Sequence, residues 1–203
     1  GVHPVGVNMR LIEVCALDYT EDVYDLEVEK YHNFFANYVC VHNCGEQPLL
    51  PYESCNLGSI NLANFFAPLN DDNNIDWERL GATVRMAVRF LDNIITINQY
   101  PIDAIREVSQ KHRKIGLGVM GWATLLQKMF IPYDSSQALV LANKIMKYIN
   151  SVAHDESEQL GKFRGGCFDG EVQLTRRNAT VTTIAPTGTL ATIAGVSYGI
   201  EPI

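Results

Sequence analysis

The chain has 203 residues, 47% of them apolar and 19% charged, enough to bury a sizeable core and too apolar for a disordered segment. Its formal net charge of -7 excludes the basic footprint of a protein that grips a nucleic-acid backbone, although a nucleotide remains a fitting small-molecule ligand. No apolar run has the length of a membrane span and the first residues lack signal-peptide grammar, so the expectation is a cytoplasmic protein with no membrane partner.

Residues 10–15, 23–28 and 38–41 hold short alternating runs of β-branched and aromatic side chains and predict strands, with 31–37 as a loop. From residue 76 the period changes: Trp77, Leu80, Val84, Ala87, Val88, Leu91, Ile94 and Ile95 recur at three- and four-residue steps and predict one long helix, capped by Asn73 or Asn74. Residues 102–112 predict a second helix behind Pro101, 114–119 a buried strand, and 121–129 a further helix. The pattern over 134–160 predicts another long helix that starts on Asp134-Ser135-Ser136 and stops before Gly161. Residues 179–185 predict an apolar, threonine-rich strand running directly into Pro186-Thr187-Gly188-Thr189. All-strand grammar thus gives way to strand-helix alternation near residue 44, which predicts a small all-β segment over 1–43 ahead of an α/β sheet or barrel over 44–203. Gly1 in place of a starting Met, and a stop at Ile203 just after Gly-Ile-Glu-Pro, predict that both ends are cut.

Five cysteines, Cys15, Cys40, Cys44, Cys55 and Cys167, form no CxxC pair, which argues against a secreted disulfide framework and against a structural metal site. Cys15, Cys40 and Cys167 read as packing residues.

Two of the cysteines stand in reactive settings. In Val41-His42-Asn43-Cys44 the Asn43 side-chain nitrogen can attack its own backbone carbonyl and cleave the bond to Cys44, an intramolecular step that gains from proximity. His42 can donate a proton to the scissile carbonyl or the leaving amine, and the Cys44 thiol can accept an acyl group and pass it to its own freed amine. Together with Val23-Tyr24-Asp25-Leu26-Glu27-Val28 and His32-Asn33-Phe34-Phe35-Ala36-Asn37, this order and spacing resembles the last two sequence blocks of inteins. The resemblance implies a Hint-type segment in which Asp25 and His32 are the assisting acid and histidine. Tyr38 departs from it, since the family usually has Gly there, and the family's N-terminal nucleophile and Thr/His block are absent from the chain. The implied partner is a separate or upstream N-terminal intein and extein part.

Downstream, Cys44-Gly45-Glu46-Gln47-Pro48-Leu49-Leu50-Pro51 and Glu53-Ser54-Cys55-Asn56-Leu57-Gly58-Ser59-Ile60-Asn61-Leu62 resemble the active-site finger loop of ribonucleotide reductases, most like the adenosylcobalamin-dependent class. Arg113-Lys114-Ile115-Gly116-Leu117-Gly118-Val119-Met120-Gly121, Ala185-Pro186-Thr187-Gly188-Thr189 and Gly199-Ile200-Glu201-Pro202 follow in the family's order. The resemblance implies part of an α/β barrel over 44–203 that reduces ribonucleotides to deoxyribonucleotides. In it Cys44 would carry the thiyl radical, Glu46 accept the 3'-hydroxyl proton, and Cys55 serve as one of two reducing thiols with a partner upstream. Pro186, Thr187, Gly188 and Thr189 would hold the substrate phosphate. The glycines at 116, 118 and 121 lack dinucleotide-fingerprint spacing and read as close packing.

The implied cofactor is adenosylcobalamin, bound largely outside this chain. The implied partners are a ribonucleoside di- or triphosphate and a thioredoxin-like reductant, with a homodimer as one assembly of the complete protein. Two competing readings are an inert intein remnant or gene fragment that acts as a structural part of a complex, and a metal-radical class I reductase.

Overall fold

The computed structural model describes residues 33–36, 39–42, 46–47, 49–68, 74–169 and 172–203. The chain divides into two units, 1–43 and 44–203.

In the first unit β1 (Asn33–Ala36) pairs antiparallel with β2 (Val39–His42), from Asn33 opposite His42 to Ala36 opposite Val39. The loop expected over 31–37 is therefore partly strand. Asn33-Phe34-Phe35-Ala36 carries two aromatic strand formers, and the register leaves only two residues between the strands, a common hairpin length. The expected strands at 10–15 and 23–28 lie outside the described residues.

The second unit is mixed α/β. β3 (Asn56–Asn61) and β4 (Ile115–Met120) pair in parallel, from Asn56 opposite Ile115 to Asn61 opposite Met120. Beyond β4 the extended segment 180–183 continues the parallel ladder: the Leu117 amide donates to the Val181 carbonyl at 2.8 Å and the Thr183 amide to the Leu117 carbonyl at 3.2 Å. The strand expected over 179–185 is reduced to one bridge, Leu117 opposite Thr182. β4 is the middle strand and all six of its residues are buried, which explains its unbroken apolar run. No closed barrel forms among the described residues.

Helices α1 (Trp77–Ile97) and α4 (Ser136–Arg164) cover one face of these strands. α1 buries Leu80, Val84, Val88, Leu91 and Ile95, the stripe its spacing predicts. Its cap is Asp76, whose Oδ1 accepts the Arg79 amide at 3.0 Å, rather than Asn73 or Asn74; Asn74 has a left-handed φ of 53° and an acidic cap suits the helix dipole. α2 (Asp103–His112) and α3 (Trp122–Lys128) flank β4 in sequence.

α4 (Ser136–Arg164) packs across α1, where the Tyr148 hydroxyl donates to the Trp77 carbonyl at 2.9 Å and the two rings meet edge to face at 5.1 Å. Ser135, within the expected Asp134-Ser135-Ser136 signal, caps α4 by accepting the Ala138 amide at 3.1 Å. α4 also runs through Gly161, where a stop was expected. The glycine is there for clearance: a Cβ at 161 would lie 2.0 Å from the Thr175 carbonyl oxygen, and the helix ends instead on Gly165, with φ +85°. A short hairpin of β5 (Phe168–Asp169) and β6 (Val172–Gln173) precedes the third parallel segment, and α5 (Gly188–Ala194) follows it. No described helix is long and apolar enough to cross a membrane.

Candidate active site

Side chains alternate between the two faces of a strand, and this sorts the strand residues. Gly58, Leu117 and Thr182 face the helices: a Cβ on Gly58 would touch Leu91 at 3.4 Å, and the Asn150 side chain of α4 donates to the Thr182 hydroxyl at 2.8 Å. Leu57, Gly116 and Thr183 face the other way. A Cβ on Gly116 would lie 2.7 Å from both Leu57 Cδ2 and Thr183 Cγ2, so the glycine lets two side chains close over β4. The packing reading of the 116, 118 and 121 glycines holds there, and at Gly118, where a Cβ would sit 2.7 Å from the Thr183 carbonyl oxygen.

The face over Gly116 gathers the candidate residues. The Thr183 hydroxyl donates to the Glu46 carbonyl, and the Gln47 side-chain amide donates to the Thr182 carbonyl at 3.1 Å. Glu46 is thereby tied by its backbone, leaving its half-buried carboxylate unengaged by that tether. Cys55 lies directly before β3, two residues ahead of Leu57, and the strand's alternation carried back one residue would give it the same face. It is half-buried and in no disulfide. Leu57, on the edge strand β3, is 40% exposed, while Gly116, Gly118 and Thr183 on the same face are buried. A groove of about 620 Å³ along α4, lined by Asn143, Lys147, Asn150 and His154, includes neither Glu46 nor Cys55; burial and Arg176 hold His154 below its ordinary value there.

The turn after the third segment has a more specific geometry than its letters convey. Thr187 is buried, has a left-handed φ of 56°, and its Oγ1 accepts the Gly199 amide at 2.7 Å. Its hydroxyl oxygen is thus engaged in holding the chain, while Thr189 stands exposed. Pro186, Gly188 and Thr189 are exposed, nothing lies within 4 Å of a Cβ on Gly188, and α5 begins with no side-chain cap on its first amides. Asp25, His32, Asn43 and Cys44 lie outside the described residues, and His42 is described only as the backbone residue of β2 opposite Asn33.

Two charged clusters escaped the motif reading. Glu53, its side chain 1% exposed, receives Lys114 Nζ at 2.7 Å, the Leu50 amide at 2.5 Å and the His112 ring. Burial pushes its carboxyl up, but Lys114, the Leu50 amide and His112 outweigh this and hold it below the ordinary value. Asp92, fully buried in α1, accepts from Arg113 Nε at 2.8 Å and Asn178 Nδ2 at 3.1 Å and pairs with Arg164 at 3.2 Å. Burial, then Arg113, pushes the nearby Arg177 down, against the pull of Asp92. The one signal for Asp92 was a charge at i+4 from Val88 on an otherwise apolar stripe. Glu53 opens the quoted 53–62 motif but drew no role from it, and its further signal was the charged pair Arg113-Lys114 leading into an apolar strand.

Comparisons with known proteins agree in direction. The family described as "Ribonucleotide reductase, barrel domain" matches residues 25–170. The protein named "Vitamin B12-dependent ribonucleoside-diphosphate reductase" of Thermoplasma acidophilum is 50% identical over 166 residues, covering 79% of this chain and 21% of its own length. Its namesake in Mycobacterium tuberculosis (strain H37Rv) is 50% identical over 165 residues, covering 79% and 23%. Among solved structures, the Actinobacillus ureae class Id ribonucleotide reductase alpha subunit aligns with a TM-score of 0.63 at 30% identity, covering 79% of this chain and 31% of that one. The chain therefore spans about a fifth of the length of the curated relatives it matches.

Proposed function

Because the chain belongs to the ribonucleotide reductase barrel-domain family, we propose that it forms part of the catalytic barrel of an adenosylcobalamin-dependent reductase acting on ribonucleoside diphosphates. The observation that carries this reading is the tether of Glu46 to Thr183 on the face that alternation also gives to Cys55. A base and a reducing thiol on one face of the sheet are what the chemistry needs. The 50% identity to two proteins named as vitamin B12-dependent, against 30% to a class Id subunit, supports the cobalamin class over a metal-radical one.

When bound, the cofactor supplies the one-electron oxidation that makes Cys44 a thiyl. No residue of this chain is named as its ligand. Cys44 takes the hydrogen from C3' and returns it at the end. Glu46 accepts the 3'-hydroxyl proton, which eases departure of the 2'-hydroxyl. Cys55 and an upstream thiol supply the two hydrogens: C2'–OH and two thiols become C2'–H, water and a disulfide. A thioredoxin-like dithiol then restores the thiols by exchange. The free amides at the start of α5, the Thr189 hydroxyl and the bare backbone of Gly188 would receive the substrate phosphate, with Pro186 and Thr187 shaping the turn.

For residues 1–43 the reading is an intein C-terminus, released from Cys44 by cyclisation of Asn43 with assistance from His42, His32 and Asp25. It is supported by the order and spacing of the motifs. A second reading, in which residues 25–43 belong to the reductase barrel, is favoured by the start of the family match at residue 25. Asn43→Ala separates the two. Under the intein reading, mass spectrometry of the precursor finds the 1–43 segment still attached in the variant and released in the parent; release from both, or from neither, contradicts it. The reductase reading is tested separately on the complete joined chain, which should form deoxynucleotide only when adenosylcobalamin is added.

A further inference from the structure

The Cys55 thiol is bracketed by side chains tied to three different elements. Glu53 is gripped by Lys114 Nζ at 2.7 Å and by His112, just before β4 and at the end of α2. Ser54 Oγ is 2.9 Å from Ser109 Oγ on α2. Asn56 Nδ2 donates to the Leu91 carbonyl of α1 at 3.2 Å. The two buried side chains of α2, Ser109 and His112, are the ones engaged in this bracket.

A buried ion pair contributes little net stability over apolar groups of the same volume. A loop that needed only to be fixed would be served as well by a leucine in place of Glu53. What the charged clamp adds is directionality: each Glu53 oxygen has its own donors, Lys114 and the Leu50 amide on one and His112 on the other, so the segment has one seating rather than several. Thiol-disulfide exchange depends on which sulfur is presented and how it is reached, and a displacement of about 1 Å can cost roughly 100-fold in rate.

We infer that Glu53, clamped between Lys114 and His112, is the positioning residue of the Cys55 thiol, fixing segment 53–56 so that the sulfur meets its partner thiol. This rests on the reading of Cys55 as a reducing thiol.

The test uses the complete reductase chain, reduced with dithiol and then freed of it, so that each molecule makes product only from its own thiols. Glu53→Gln and Lys114→Met should slow disulfide formation in that single turnover by roughly 10- to 100-fold, leave the KM for nucleotide unchanged, and recover largely in Lys114→Arg. Without cofactor or substrate, iodoacetamide labelling of Cys55, read by mass spectrometry, should be faster in both variants than in the parent. Wild-type turnover and labelling in both variants would overturn the inference. If Glu53→Gln does not fold, Lys114→Met and Ser54→Ala carry the same comparison. Cys55→Ser separates the two levels: product from that variant at the parent's single-turnover yield sinks the reading of Cys55 itself. Loss of product there, beside wild-type behaviour in Glu53→Gln and Lys114→Met, sinks only the positioning role.

Discussion

Asp92 Oδ1 accepts the Arg113 Nε proton at 2.8 Å and joins the middle of α1 to the residue that leads into β4. The same guanidinium reaches the Asp92 carbonyl and the Thr96 hydroxyl, both at 2.8 Å, while Asn178 bridges from Asp92 to the Arg113 carbonyl. One carboxylate thus fixes the helix and the entry to two neighbouring strands.

Asp92→Ala leaves Arg113 buried without its counter-charge, so unfolding in denaturant should show a loss of about 3 to 5 kcal/mol, the usual penalty for breaking a buried pair. A midpoint equal to that of the parent protein would mean that the arginines find other partners.

Gly161→Ala should destabilise the protein even though alanine is worth about 1 kcal/mol more than glycine inside a helix. The added methyl would meet the Thr175 carbonyl oxygen at 2.0 Å, a backbone atom with no side chain to swing away. A raised melting temperature in this variant would contradict the packing of 175–176 over α4.

Glu53 makes part of the stability depend on pH. Its folded carboxyl lies below the ordinary value of 4.5, so its contribution is fully present above that value and is lost as pH falls through the lower folded one. Melting scans from neutral to acid pH should therefore fall more steeply in the parent protein than in Glu53→Gln, where this component is absent. Parallel curves would remove Glu53 from the acid response.

Cys167 is buried, and its thiol is pushed up to about 11, chiefly by burial, with Arg176 pulling the other way. At about pH 8 it should resist iodoacetamide in the folded protein and react once denaturant is added, because the thiolate is the nucleophile. Labelling of folded Cys167 as fast as a small-molecule thiol would refute its burial.

Periodicity made the helices legible. The stripe of α1 and the apolar run of β4 were readable because each repeats the geometry of its element, 3.6 residues per turn or continuous burial on two faces. Punctuation was less so. Gly161 has the letter of a helix stop but is placed for clearance, and Asp76 displaced two neighbouring asparagines as a cap. At the candidate site, Glu46, Cys55 and the 186–189 turn were found through motif order. The polar partners that hold them were not. Thr183 on Glu46, Gly199 on Thr187 and His112 on Glu53 lie 137, 12 and 59 residues away, and no local pattern encodes a contact made by folding. The fate of Cys44 and Asn43 rests on sequence alone, since both lie outside the described residues.

The most direct test is deoxynucleotide formation by the complete joined chain carrying Cys44→Ser, assayed with adenosylcobalamin, dithiol and a ribonucleoside diphosphate. A serine hydroxyl can still accept an acyl group, but its O–H bond is too strong to give up the hydrogen that a thiol loses in becoming a thiyl. The prediction is that joined chain still accumulates while deoxynucleotide is absent. Deoxynucleotide produced at the parent's rate would contradict the assignment of the radical to this residue and the catalytic reading with it.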